Sequence, residues 1–237
     1  MPRTHHISLL FGSVLLPAVG FAGPVQDAEG ELRSVYGDYR VSLFQTNGGD
    51  ADATAKALES LNQKWEALSQ EWTSAPPPQY ADDSLLAGTM TSVDTVIDKA
   101  ADEAARGDLA TAHVTLEAIR SEIGDLHERN GVIGFSDRMN AYHAEMEQVL
   151  EAEVGGESKD GVAALQDAAA VLAYLAEDIA AHPAPEAADP AYEPLVDGLL
   201  KSVQALQAAA QSGDATGVKA AIAGLKPAYS KLFLKFG

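Results

Sequence analysis

Two short groups of side chains in the middle of the chain could do chemistry. His113, Arg120 and His127 fall seven residues apart, so on a helix they form one cationic stripe beside the apolar seam. The matching stripe further along would be Lys219, Lys226 and Phe233. The second group is Met139, Tyr142, His143 and Met146, all within two helical turns, with Glu147 one turn after His143. An imidazole and a carboxylate at i and i+4 point the same way, as helical metal ligands do. If the two stretches pack antiparallel about a loop near Ile133, His127 comes opposite Met139, and Glu122 or Ile123 opposite His143. Imidazole with thioether selects copper, while imidazole with carboxylates selects iron, zinc or manganese. The candidate metal set is therefore His113, Glu122, His127, Met139, His143, Met146 and Glu147, and the expected ion is copper or iron. The competing reading pairs the cations with acidic faces of neighbouring helices and leaves both methionines as ordinary core.

Composition narrows the field. The chain has 237 residues, no cysteine and a formal charge of −19. Without cysteine there are no disulfides, thiolate metal sites, thiol nucleophiles or thioether-linked haem. The acid excess disfavours nucleic acid and anionic membrane surfaces, because no basic stripe offsets phosphate repulsion. No Ser-His-Asp signature, phosphate loop or HExxH is present, and carboxylates are too abundant to single out a pair. A non-enzymatic role is expected.

The elements that must position these groups are helices. From Asp27 onward Ala, Leu, Glu, Asp and Gln dominate, which favours helix. Leu58, Leu61, Trp65, Leu68 and Trp72 recur at spacings of three and four, giving one apolar stripe. Eight helices are predicted: about Glu29–Gln45, Asp50–Trp72, from Asp82 or Asp83 to Arg106, Asp108–Asn130, Asp137–Val154 with Ser136 as cap, Asp160–Ala181, Tyr192–Gln211 and Ala215–Phe236. The breaks recur in order. Gly107-Asp108 and Gly213-Asp214 are 106 positions apart, as are Gly131 and Gly237; Pro76 and Pro183 are 107 apart. Tyr36, Tyr39 and Arg40 correspond roughly to Tyr142 and His143. The chain thus reads as an all-α protein of two tandem four-helix bundles, 23–131 and 132–237. The bundles either sit end to end or share one core; the short link between the fourth and fifth helices favours close contact.

Residues 1–22 read as a secretory signal: Arg3, an apolar run from Ile7 to Leu16, then Gly20-Phe21-Ala22 before Gly23. The run is too short to span a membrane, and nothing later approaches the roughly 18 apolar residues a span needs. A periplasmic address is expected.

The fourth helix carries Ile123-Gly124-Asp125-Leu126-His127 near its end. An exported four-helix unit of this length resembles the cytochrome c prime and c556-like family, which attaches haem through CxxCH on its last helix. Only His127 matches that motif, since Ile123 and Leu126 fill the cysteine positions and Phe233 replaces the histidine in the second copy. The resemblance implies a haem-less relative that keeps the bundle and has no covalent haem. Two functions remain open: a binding protein holding a metal ion near the repeat junction, or a periplasmic protein-interaction module, docking through the aromatic end of the eighth helix (Tyr229, Phe233, Phe236) or its acidic faces. Oligomeric state is not legible.

Overall fold

The computed structural model describes residues 23–151 and 159–237, with side chains from 163 onward in the second stretch. The expected signal at 1–22 and the Gly155-Gly156 stop lie outside the described residues. The helices are α1 (Pro24–Gly48), α2 (Ala51–Ser74), α3 (Leu86–Ala105), α4 (Leu109–Arg129), α5 (Phe135–Glu151), α6 (Lys159–Ala181), α7 (Tyr192–Ser212) and α8 (Ala215–Phe236). No strand occurs among the described residues, and no helix there is long and apolar enough to cross a membrane.

The turns form where local chemistry demands them. Gly49, Gly107, Gly131 and Gly213 all have positive φ, between 67° and 82°, a conformation that costs glycine little. Asp50, Asp108 and Asp214 cap the helices that follow, accepting from the backbone N–H of Ala53, Thr111 and Thr216. Asp50→Ala should lower the unfolding free energy by about 1 kcal/mol, read from the urea midpoint.

One boundary differs from expectation. α3 starts at Leu86, not at Asp82 or Asp83. Residues after the proline run turn inward instead, placing Tyr80 fully inside the core. The Asp83 carboxylate accepts from Arg129 Nε at 2.8 Å and Asn130 Nδ2 at 2.9 Å, tying this link to the end of α4.

Helices α1–α4 pack in sequence and close through α1 against α4; α5–α8 do the same through α5 against α8. The buried positions repeat with the helices. On α1 and α5, Leu32, Tyr36, Tyr39 and Leu43 match Phe135, Met139, Tyr142 and Met146, each pair 103 positions apart. On α3 and α7, Leu86, Met90, Val93 and Ile97 match Tyr192, Val196, Leu199 and Val203 at 106. On α4 and α8, Leu116, Ile119, Ile123 and Leu126 match Ile222, Leu225, Tyr229 and Leu232, also at 106. The duplication seen in the turns is therefore a duplication of the core.

The two bundles lie side by side. Arg33 on α1 donates to the Phe236 carbonyl at the end of α8, while Leu43 and Phe44 line a cavity with Lys226 and Tyr229. α1 and α8 thus run antiparallel for several turns. Apolar side chains from all eight helices form one contiguous cluster, so the bundles share a core instead of meeting end to end.

Candidate functional site

The expected donors do not gather at one point. Met139 and Met146 are fully buried among the apolar side chains of the second bundle, where their thioethers serve as core. Because those stripes turn toward α6–α8, the face that α5 offers to α4 is its polar edge: Asp137, Asn140 and His143. His127 consequently meets Asp137, not Met139. Arg120 meets Asn140, and half-buried Glu122 forms no hydrogen bond or ion pair with His143. Among the described residues, no group of three or more His, Asp or Glu side chains is arranged to hold a metal ion.

His127 sits in a polar cluster between the bundles. Its Nδ1 contacts both Asp137 oxygens, at 2.9 and 2.8 Å, and its Nε2 lies 3.4 Å from Glu29 Oε2, an ion-pair distance rather than a good hydrogen bond. Tyr80 stacks at 6.4 Å and donates its hydroxyl to Glu29 at 2.6 Å. Burial alone would lower the imidazole's pKa, but the contacts to Asp137 and Glu29 override it and raise it to about 9. Burial alone would likewise raise the Glu29 carboxyl, yet the nearby His127 imidazole and hydrogen bonds from Tyr80 and Gln79 hold it below the usual value. At neutral pH this is an imidazolium between two carboxylates. With each ring nitrogen turned to a carboxylate from a different helix, His127 clasps α4 to α1 and α5.

The remaining candidates converge elsewhere. His113, His143 and Glu147 line one cavity of about 510 Å³, together with Arg40, Arg120 and Lys226. It lies between α1, α4, α5 and α8, and equivalent positions of the two copies contribute to its lining. Arg40 and His143 are 103 apart, and Arg120 and Lys226 are 106 apart, the same offsets that relate the cores.

Most of the charges here are matched. Arg120 donates to Glu117 at 2.5 Å, Asn140 at 3.0 Å and Tyr229 at 2.8 Å, and its guanidinium lies 4.3 Å from the Phe233 ring centre. Lys226 reaches Glu147 at 3.2 Å, and His143 Nε2 reaches the same oxygen at 3.4 Å. His113 Nδ1 lies 3.0 Å from the Thr46 hydroxyl, and its Nε2 3.6 Å from Glu117. Burial, followed by the positive charges of Arg120 and Lys226, pushes His143 down to about 3, so it is neutral near pH 7. A neutral imidazole in a cleft can donate or accept a single hydrogen bond.

Arg40 is the exception. It is 8% exposed, and its Nε and Nη1 are buried with no hydrogen-bond partner among the described residues. In the sequence Arg40 is marked only by its rough correspondence, with Tyr36 and Tyr39, to Tyr142 and His143. Glu29, Asp137, Glu117 and Asn140 gave no signal at all in a chain so rich in polar helix formers.

Compared with models of protein families, with characterised proteins and with solved structures, the chain matches none.

Proposed function

We propose that this is an exported, non-enzymatic binding protein that takes a small ligand into the cavity between its two bundles. The observation that carries the reading is the lining of that cavity by matched positions of both copies, Arg40 with His143 and Arg120 with Lys226. Duplicating a bundle creates a new concave surface along the seam, and a seam between helical units is where bundle proteins place ligands. A volume of about 510 Å³ suits a small organic molecule. A copper or iron ion, expected from the residue types, has less support, since the methionines serve as core and His127 is engaged by carboxylates.

The test is native mass spectrometry of the protein isolated from its own source. Wild type should carry an added mass. Ser230→Trp, which puts an indole at the exposed rim of the cavity without touching the core, should lose it. Retention of the same mass by Ser230→Trp would place the ligand elsewhere. Metal analysis of the same samples decides the metal reading: an ion held in equal ratio to the chain and lost on His143→Ala would revive it.

A further inference from the structure

We propose that the protein has a second ligand site, separate from the cavity above, which takes a small, neutral, largely apolar molecule such as a medium-chain alcohol or ketone. The site is a cavity of about 780 Å³, lined by α1 from Val25 to Arg40, the end of α4, the link before α5 and the Pro185-Glu186 link. The first cavity uses the other end of α1, from Arg40 to Asn47. The walls of the second are apolar. Leu32, Ile123, Val132 and Phe135 line it, and Val25 and Ile133 line it while staying exposed. Exposed apolar surface on a concave wall is where a ligand recovers burial.

The charges on the lining decide the class. Its two carboxylates each face a cation already: Glu186 holds Arg33 through both oxygens, at 2.7 and 2.6 Å, and Glu29 lies 3.4 Å from His127. Glu29 also accepts from Gln79 and Tyr80, and Arg33 also donates to the Phe236 carbonyl. The remaining cation, Arg40, is sealed in the wall: it is more than nine-tenths buried, and nothing in the cavity reaches its Nε or Nη1. An ionic ligand would shed its hydration here without meeting a free counter-charge, which is costly. A neutral ligand loses little and gains the apolar wall. The hydroxyls of Ser34 and Ser136, also on the lining, each suit one hydroxyl or carbonyl oxygen.

Displacement of the neutral fluorescent probe phenylnaphthylamine from the full chain tests this. Hexanol, hexanoate and hexylammonium share one body and differ in charge. At neutral pH, hexanol should displace the probe at a concentration about 10-fold or more below that of either ion. Along the alcohols from butanol to hexanol, affinity should rise roughly 3–4-fold per added methylene, the increment of apolar burial. Two variants locate the site. Gly30→Trp fills the cavity from α1, at a position where a Cβ meets nothing within 4 Å. Tryptophan suits a helix interior better than glycine, so the helix is kept, and probe binding should weaken about 10-fold or more. Ile133→Ser, at an exposed position, should weaken it roughly 3–10-fold with an unchanged melting temperature, and serves if the tryptophan variant does not fold. Ser230→Trp, at the rim of the first cavity, should bind the probe as the wild type does. The proposal is overturned by an ion that displaces as well as hexanol, by an alcohol series with no slope, or by undiminished probe binding in Gly30→Trp and Ile133→Ser. Loss of the probe in Ser230→Trp also overturns it, by placing the molecule in the first cavity. Each cavity has its own blocking variant, so this site and the ligand reading above stand or fall separately.

Discussion

Replacing Arg120 with alanine lowers the unfolding free energy by about 3–5 kcal/mol, the range for breaking a buried charged network by removing one partner. Its side chain is 11% exposed. It holds the Glu117 carboxylate, the Asn140 amide and the Tyr229 hydroxyl, and it packs on the Phe233 ring. Truncation leaves those groups without their donor in a place water reaches poorly, and the lost stem opens a void among Phe233, Tyr229 and His143. The contacts come from α4, α5 and α8, so the loss falls on the seam between bundles. That gives a second readout. Both tryptophans, Trp65 and Trp72, lie on α2 in the first bundle, so their fluorescence reports on that bundle while circular dichroism reports on both. In the wild type the two urea transitions should coincide, as one shared core requires. In Arg120→Ala they should separate. Arg120→Met, which keeps an unbranched stem, should cost less. A change below about 1 kcal/mol for Arg120→Ala, the scale of an exposed ion pair, would mean the network does not couple the bundles.

The second large effect is alkaline. The imidazole of His127 is raised from 6.5 to about 9 in the folded chain, so the stability it contributes is whole below pH 6.5 and is lost as pH rises through 9. The gap corresponds to roughly 3 kcal/mol. The groups that face His127 account for it: Glu29 from α1, Asp137 from α5 and the Tyr80 ring from the link before α3. When His127 loses its proton, Glu29 and Asp137 are left as two carboxylates beside a neutral ring. Urea unfolding at pH 6.5 and pH 9.5 should therefore give a marked loss for the wild type. His127→Gln should start lower and change little over the same interval. A wild-type stability that is flat across this window, or a slope that survives in His127→Gln, would show that His127 is not an ionic clasp. His143 works in the opposite direction. Being held neutral by burial and nearby cations, it withdraws stability as pH falls below 6.5 toward 3, so acid and alkaline losses arise from different residues.

How much of this was legible beforehand divides along a physical line. Helix positions, the Gly-Asp turns and the duplication depend on interactions within a few residues: backbone propensity, capping by Asp108 and Asp214, and the positive φ of Gly107 and Gly213. Such signals are written in local order, and they recur at matching offsets in the two bundles. One helix start was less legible: α3 begins at Leu86 and not at Asp82 or Asp83, where the Asp83 carboxylate accepts from the Leu85 N–H and is also tied to Arg129 and Asn130 at the far end of α4.

The site belongs to the other side of that line. Spacing placed His143 and Glu147 on one face of α5, and that pairing is present at 3.4 Å. Spacing could not say how α5 is rotated against α4. That rotation is set by the need to bury Met139, Tyr142 and Met146 among α6, α7 and α8, a constraint that exists only when all four helices are in place. The same rotation delivers Asp137 to His127 and turns both thioethers into the core. The amino-acid order by itself determined eight helices in two copies; which edges of those copies meet, and hence what chemistry lies between them, was decided by the packing of apolar stripes far apart in the chain.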